Sequence, residues 1–247
     1  METISPSFLD THPLSPVQSA KLSQWAGSSR PGIRYIETES VCFRVREGGS
    51  KRPTVVLFAD GPNTLEHHDP IFEKLAKWTR VVAIDPPGFG FSTPNPDFDF
   101  KVGAFANAFV ELLISLGAGP YVLCPTCTNV YPSALIAAEH PELVSHLACE
   151  CISHGGNFCL ASLIQSWFGP DVDQPAFPTF SQPALAVWGM NDRSHRKSDK
   201  RSLLNIAPHA KYVEREGVGH FPEIEDPVWF DRLLRQFLRD NGMLHIS

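Results

Sequence analysis

The segment YVLCPTCTN at residues 121–129 decides the fold of this chain. Its first half is a continuous apolar run, which is typical of a strand buried on both faces of a parallel sheet. Residues 130–140 then have the pattern of a helix, so the chain must turn sharply from strand to helix at Cys127. Ligands of such sheets collect beyond the carboxyl ends of the strands, which makes Cys127 the first candidate for a functional residue.

Strands and helices alternate on both sides of this segment. Apolar or alternating runs predict strands at residues 35–38, 41–47, 54–59, 81–85, 121–125, 144–151, 184–189 and 211–215. Helical spacing predicts helices at residues 70–78, 102–116, 130–140, 197–206 and 227–240. This order predicts an α/β fold with a mostly parallel sheet of about eight strands, helices on both faces and a hairpin at its start.

Two segments fall outside this alternation. Residues 1–32 are rich in Ser, Pro and Gln and predict an N-terminal arm with at most one short helix, whereas residues 33–247 form the α/β domain. Within the domain, residues 153–183 predict a lid, because glycines at one end and prolines at the other enclose one helix-like piece. Trp167 in this piece is a candidate for substrate contact; alternatively, the helix packs on the domain without touching ligand.

The composition is that of a globular protein, with 43% hydrophobic and 19% charged residues. A net charge of −6 offers no basic surface for nucleic acid or anionic lipid. No apolar run reaches the ~20 residues of a membrane helix, and residues 1–16 lack the features of a secretory signal. Several of the six cysteines fall in predicted buried strands, which favours reduced thiols and a cytoplasmic location, although Cys124-x-x-Cys127 leaves a redox or metal use open.

Two later motifs offer an acid and a base. WGMND at residues 188–192 begins in the last two residues of one predicted strand, and GVGHFP at residues 217–222 follows another. They supply Asp192 and His220, so the order along the chain is nucleophile, acid, histidine. Because all three residues follow strands of a parallel sheet, we expect them to meet at one edge of that sheet.

Two motifs resemble the α/β-hydrolase superfamily. DPPGFGFS at residues 85–92 is similar to that family's D-x-x-G-x-G-x-S turn, and residues 217–227 are similar to its G-x-G-H-x-P-x-x-E-x-P ending. The resemblance covers about residues 33–238. It implies the fold of that family and an active site made of a nucleophile, an acid and a histidine.

The resemblance also implies which residue is the nucleophile. With GP at residues 119–120 and HPE at residues 140–142 as anchors, the family's G-x-S-x-G elbow aligns without gaps with PTCTN at residues 125–129. Cys127 then takes the place of the serine. A shift of the nucleophile to Thr126 would break both anchors.

Cys127 has a proton acceptor in the implied site. His220 would take the thiol proton, Asp192 would hold the imidazole in the required tautomer, and the N-terminus of the following helix would favour the thiolate. Pro125 and Asn129 replace the glycines of the elbow; asparagine tolerates the turn, whereas proline predicts a reshaped one. The alternative that Cys127 is a small buried hydrophobic residue stays open.

The oxyanion hole is where the chain departs most from the family. By resemblance, one backbone N–H comes from Thr128 and the second from Pro62, which has none to give. Gly61 or Asn63 could supply the missing donor, the latter also through its side chain. Asp60 stands in place of the usual histidine and adds negative charge, either as a cap of the loop or as a substrate-binding carboxylate.

These residues predict a hydrolase of a small-molecule ester, lactone or thioester with a Cys127-His220-Asp192 triad. The altered oxyanion hole leaves open a lyase, isomerase or cyclase on the same scaffold, and a non-catalytic binding member is a third alternative. No metal or cofactor is predicted, and the other histidines, including His67 and His68, are predicted to face solvent. The expected partner is a small-molecule substrate rather than nucleic acid or a membrane, with a homodimer as an open alternative.

Overall fold

The computed structural model describes residues 30–61, 63–117, 119–150, 179–194, 199–205 and 207–244. The predicted N-terminal arm before residue 30, the predicted lid before residue 179 with Trp167, and Pro62 lie outside these ranges. Throughout the described part of the chain, no helix is both long enough and apolar enough to cross a membrane.

In the part of the chain that the structure describes, a mixed sheet of nine strands forms the centre of the domain. In chain order the strands are β1 (Ile33–Glu37), β2 (Val41–Gly48), β3 (Thr54–Phe58), β4 (Arg80–Ile84), β5 (Thr93–Pro94), β6 (Tyr121–Pro125), β7 (Val144–Glu150), β8 (Ala184–Gly189) and β9 (Lys211–Arg215). Their order across the sheet is β1-β2-β4-β3-β6-β7-β8-β9, with β5 beside β2. All eight predicted strands are present, and the two-residue β5 is an addition that the sequence patterns did not predict.

Most of the sheet is parallel. β3 pairs in parallel with β4 and β6, and the parallel pairing continues through β7 and β8 to β9. β1 and β2 form the predicted antiparallel hairpin, with Ile36 opposite Phe43. Every residue of β3 and β6 is buried, as expected for continuous apolar runs covered on both faces. The carboxyl ends of the parallel strands therefore share one edge of the sheet.

Helices cover both faces of this sheet. The α-helices among the described residues are α1 (Asp69–Leu75), α2 (Val102–Leu116), α3 (Val130–Glu139), α4 (Pro222–Glu225) and α5 (Pro227–Asp240). Apolar residues of α2 and α3 share one hydrophobic cluster with Phe58 and Leu123, whereas those of α1 and α5 share another with Leu57 and Val122. Neighbouring residues of a strand point to opposite faces, so the two clusters lie on the two sides of the sheet. The predicted α/β architecture is confirmed.

The helix predicted at residues 197–206 is wrong for the part of it that is described. Only a 3-10 helix, Ser202–Asn205, forms there. Asp199 Oδ1 accepts a hydrogen bond from the Arg201 N–H at 2.9 Å, a local side-chain contact that competes with a regular helix. Conversely, the single turn of α4, which begins two residues after His220, was not predicted.

Asp85, the first residue of the DPPGFGFS turn, holds together two loops beside the carboxyl edge. Its carboxylate accepts hydrogen bonds from the Leu65 N–H at 2.6 Å and the Phe91 N–H at 3.0 Å. Nη1 of Arg44 lies 3.2 Å from the same carboxylate, and both charged side chains are fully buried. The loop that this network anchors is the one that begins after β3 and carries Asp60.

Candidate active site

The chain turns at Cys127 as the sequence predicts. β6 ends at Pro125, a 3-10 helix spans Cys127–Asn129, and α3 follows at once. Cys127 has a φ of 48°, in the left-handed region that residues other than glycine rarely adopt. Such a residue persists only where the surrounding structure holds it, and these residues cluster at functional sites.

The two residues that replace glycine at this elbow are accommodated in different ways. Pro125 is the last residue of β6 and lies opposite Phe58 of β3. Asn129 has a φ of −77°, so its tolerance of left-handed conformations is not used. Its side-chain amide instead donates to the Ala59 carbonyl at 2.8 Å, which ties the elbow to the end of β3.

Asp192 and His220 lie on adjacent loops, after β8 and β9. Nδ1 of His220 is 2.9 Å from Oδ2 of Asp192, whose side chain is fully buried. The Asn191 N–H donates to the Val218 carbonyl at 2.8 Å and joins the two loops. The predicted acid and base are therefore paired.

Asp60, Cys127 and His220 meet at the carboxyl edge of the sheet. One carboxylate oxygen, the sulfur and one ring nitrogen all lie within 4.8 Å of one another. The structure thus brings the three predicted catalytic residues together, Asp192 through its bond to His220, and adds Asp60 to them. Carboxylate, thiolate and imidazole are also the ligand types of zinc.

Asp60 binds the residue that was predicted to stabilise an oxyanion. Its Oδ1 accepts hydrogen bonds from the Thr128 hydroxyl at 2.6 Å and from the Thr128 N–H at 3.3 Å. The Asn63 N–H, a predicted replacement donor, donates instead to the Asp60 carbonyl at 2.7 Å and closes a turn. Gly61 lies against the ring of Phe89, where an added Cβ would be 2.8 Å from ring atoms. A carboxylate therefore takes up the N–H that an oxyanion would need.

Comparisons with known proteins concern the fold. The sequence matches no protein-family profile and no curated protein. A serine hydrolase involved in carbazole degradation, CarC, has a TM-score of 0.69 at 18% identity, over 84% of this chain and 98% of that chain. The enol-lactonase from Burkholderia xenovorans LB400 has a TM-score of 0.67 at 17% identity, over 83% of this chain and 100% of that chain. E-2-(acetamidomethylene)succinate hydrolase has a TM-score of 0.68 at 16% identity, over 84% of this chain and 98% of that chain.

The chain has the α/β-hydrolase fold. In this fold the nucleophile follows a central strand, and the acid and the histidine follow later strands. Cys127 after β6, Asp192 after β8 and His220 after β9 have these positions. The structures compared share less than one fifth of their residues with this chain, so the similarity shows the fold alone. The chemistry must be argued from the residues of the site.

The electrostatics of the site keep the sulfur protonated. Burial and the negative charge of Asp60, with a smaller effect of Asp192, raise the pKa of Cys127 well above its usual value. The Thr128 N–H acts in the opposite direction but does not offset these effects. The resting site therefore holds a thiol, and the thiolate expected from the helix N-terminus is not its resting form.

His220 is a stronger base than an ordinary histidine. Burial alone would lower the pKa of His220, but the hydrogen bond and charge of Asp192 and the charges of Asp60 and Glu223 raise it overall. Because Nδ1 faces Asp192, proton exchange with a thiol or a substrate falls to Nε2. The imidazole is thus oriented and tuned to accept a proton.

A buried polar group beside the elbow was not predicted from the sequence. His68 is 1% exposed, so the prediction that it faces solvent is wrong, since the 3-10 helix Leu65–His68 turns its ring inward. Its Nδ1 lies 3.8 Å from Oε1 of Glu223, and the Thr126 hydroxyl lies 3.5 Å from the same oxygen. Burial and the neighbouring His67 lower the pKa of His68 to about 4. No sequence pattern indicates this group, because its members come from three separate segments of the chain.

Proposed function

We propose that this chain hydrolyses an ester, lactone or thioester of a small organic molecule, with Cys127 as the nucleophile. The observation that carries the proposal is the φ of 48° at Cys127, at a strand-to-helix turn whose sulfur lies within 4.8 Å of His220. Such a strained turn is how this fold exposes a reacting atom. Proteins named as an enol-lactonase and a thioesterase domain share the fold, which fits this substrate class.

The first half of the reaction forms a covalent intermediate. The Cys127 sulfur attacks the carbonyl carbon of the substrate while its proton passes to Nε2 of His220. Because the resting sulfur is a thiol, this proton transfer accompanies the attack. The tetrahedral intermediate then collapses, the leaving group takes the proton from His220, and the acyl group stays on sulfur as a thioester.

The second half restores the enzyme. His220 takes a proton from water, the resulting hydroxide adds to the thioester carbonyl, and the acid product leaves as the sulfur is reprotonated. Asp192 accepts the hydrogen bond from Nδ1–H throughout and stabilises the imidazolium that forms in each half.

Asp60 sets a condition on this route. The developing oxyanion needs the Thr128 N–H, which the Asp60 carboxylate accepts at 3.3 Å. The carbonyl oxygen of the substrate must therefore replace Asp60 on Thr128. Losing one such donor costs ~10²–10³ in rate, so simple esters that cannot displace the carboxylate should react slowly.

The test combines detection of the covalent intermediate with a comparison of cysteine variants. Wild-type protein is mixed with panels of aryl esters, lactones and acyl thioesters, and intact-mass spectrometry is used to detect an acyl group on Cys127. We expect Cys127→Ala to abolish both the adduct and turnover, and Cys42→Ala to retain both, because β4 and β3 lie between β2 and β6 in the sheet. Full turnover by Cys127→Ala would remove Cys127 from the mechanism.

The contact between Asp60 and Thr128 favours a second candidate, a lyase, isomerase or cyclase. A carboxylate on the oxyanion donor and a protonated Cys127 hinder acyl transfer but not proton transfer. In this candidate His220 removes a proton from a carbon of the substrate, and Asp60 or Cys127 returns or relays it.

Isotopes separate the two candidates. Hydrolysis in ¹⁸O-labelled water places the label in the product. Proton transfer leaves product oxygen unlabelled, and a reaction in D₂O places deuterium at the carbon that was deprotonated. Label from water in the product would end the second candidate for that substrate.

A further inference from the structure

Asp60, Cys127 and His220 supply three different metal-ligand types at one place. We propose that these residues bind a Zn²⁺ ion, and that the bound ion keeps Cys127 from acting as a nucleophile. The inference rests on the same side chains as the proposed hydrolysis, but it concerns binding of a cation and requires no substrate.

The donor atoms suit zinc in type and spacing. Zinc binds thiolate sulfur at about 2.3 Å, imidazole nitrogen at about 2.0–2.1 Å and carboxylate oxygen at about 2.0–2.2 Å. Ligand atoms around one ion therefore lie about 3–4 Å apart. The three atoms here lie within 4.8 Å of one another, so small side-chain rotations bring them onto one ion.

Each ligand is held by a neighbour, as in established zinc sites. Nδ1 of His220 faces the buried carboxylate of Asp192, which leaves the coordination to Nε2 and forms the carboxylate–histidine pair that orients metal ligands. Oδ1 of Asp60 is fixed by the hydroxyl and N–H of Thr128. The left-handed turn holds the backbone of Cys127. The donors therefore meet with little loss of side-chain freedom.

The local charge also favours a cation. Asp60 supplies one of the three donor atoms, and the carboxylate of Asp192 lies 2.9 Å from the ring of His220. Both carboxylates are buried. Two negative groups in a buried region repel one another, and a divalent ion beside them offsets that repulsion.

Binding of the ion has a chemical consequence. Zinc replaces the thiol proton, which is released to solvent, and the sulfur shares an electron pair with the metal. The same pair is the one that would attack a carbonyl carbon. A zinc-loaded chain therefore loses thiol reactivity, and removal of the ion by a chelator restores it.

A Zn²⁺ titration tests the proposed site without any enzymatic assay. The full-length chain is treated with EDTA, dialysed, and titrated with Zn²⁺ in competition with a chromophoric chelator. We expect one ion per chain, with affinity at least about tenfold weaker in Asp60→Asn, His220→Gln and Cys127→Ala, since each removes a ligand. Cys42→Ala and Asp97→Asn, which change the same residue types away from the site, should bind as the wild type does.

Cobalt(II) reports whether the sulfur is a ligand. We expect the Co²⁺-loaded wild type to have a thiolate-to-metal charge-transfer band that Cys127→Ala lacks and Asp97→Asn keeps. We also expect one equivalent of Zn²⁺ to protect Cys127 from iodoacetamide and EDTA to reverse the protection, with adducts located by peptide mass spectrometry.

Two results would overturn the proposal: affinity for Zn²⁺ that is equal in wild type and in all three ligand variants, or alkylation of Cys127 that saturating Zn²⁺ does not slow. Circular dichroism of each variant identifies any that fails to fold, and Asp60→Asn, which keeps the shape of the side chain, is then compared alone. Failure of the zinc titration leaves the acyl-enzyme experiment intact. An absent acyl-enzyme likewise leaves the zinc titration intact, so the two ideas fail separately.

Discussion

Asp60 accepts hydrogen bonds from both the hydroxyl and the backbone N–H of Thr128, the residue that follows Cys127. One carboxylate thus binds the donor that an oxyanion would use and places a negative charge beside the sulfur. These two effects act in the same direction, because each disfavours negative charge at the elbow. The Asp60 carboxylate therefore hinders hydrolysis, whereas a proton-transfer reaction could use it as a proton carrier.

Replacing Asp60 by asparagine should make Cys127 more reactive. Removing a like charge from a buried thiol lowers its pKa, so we expect alkylation of the EDTA-treated protein by iodoacetamide at neutral pH to become about tenfold faster. Asp97→Asn removes an equal charge elsewhere and should leave the rate unchanged. A rate in Asp60→Asn no higher than in wild type would mean that Asp60 does not control the sulfur.

The same variant separates the two candidate reactions. If Asp60 hinders the oxyanion, Asp60→Asn should raise the rate of acyl-enzyme formation, because a neutral amide gives up the Thr128 N–H more readily. If Asp60 carries a proton, the variant should lose turnover by about 10²–10⁴-fold. Single-turnover kinetics on one substrate measure which of these occurs.

Loss of the Asp192 carboxylate should impair proton transfer with little effect on substrate binding. Nδ1 of His220 lies 2.9 Å from Asp192, so an asparagine there favours the wrong tautomer and cannot stabilise an imidazolium. We expect Asp192→Asn to lower kcat by about 10²–10⁴-fold while KM changes little. Asp97→Asn is the matched control. Unchanged kcat in Asp192→Asn would exclude a histidine mechanism that depends on this pair.

Gly189 allows the loop that carries Asp192 and the loop that carries His220 to pack closely against each other. A Cβ at Gly189 would lie 1.8 Å from the Gly219 carbonyl oxygen, so Gly189→Ala must push the residue before His220 away. We expect kcat to fall and the protein to lose stability. Gly103→Ala in α2, where a Cβ would meet nothing within 4 Å, should instead add about 0.4–1 kcal/mol. Equal thermal midpoints and equal kcat for the two variants would contradict the steric argument.

Features of the fold and of the site that depend on local sequence patterns could be predicted from the sequence. Continuous apolar runs predicted β3 and β6, and the order of motifs predicted that Cys127, Asp192 and His220 would meet, because parallel strands carry their loops to one edge. The sharp turn at Cys127 followed from the apolar run before it and the helical pattern after it. Each of these inferences depends on periodicity or on position relative to a strand end.

What escaped the sequence depends on contacts between distant segments. Asp60 was predicted as a loop cap or a substrate ligand, but its bond to Thr128 joins residues 68 positions apart. The burial of His68 next to Glu223 depends on how α4 packs against the loop after β3, and no periodicity describes that contact. The 3-10 helix at Ser202–Asn205 was missed for a different reason, since local hydrogen bonding there overrode a helical apolar pattern.

The buried His68 should make stability depend on pH. Its pKa is about 4 in the folded chain against 6.5 for an ordinary histidine, chiefly because burial disfavours the charged ring. The unfolded chain therefore binds more protons between these values, so stability present above pH 6.5 is lost as the pH falls towards 4. A shift of this size corresponds to about 3 kcal/mol.

Urea unfolding across this range, in wild type and in His68→Asn, measures the effect of that one ring. His67 and Glu223 lie beside His68 in both proteins, so their own titrations contribute to both curves. We expect the free energy of unfolding of the wild type to fall more steeply with decreasing pH than that of His68→Asn, even if the variant is less stable throughout. His67→Asn, at the half-buried neighbouring ring, should keep most of the wild-type slope, because the shift at His68 arises mainly from burial. Parallel curves for wild type and His68→Asn would show that His68 is not buried as a neutral ring.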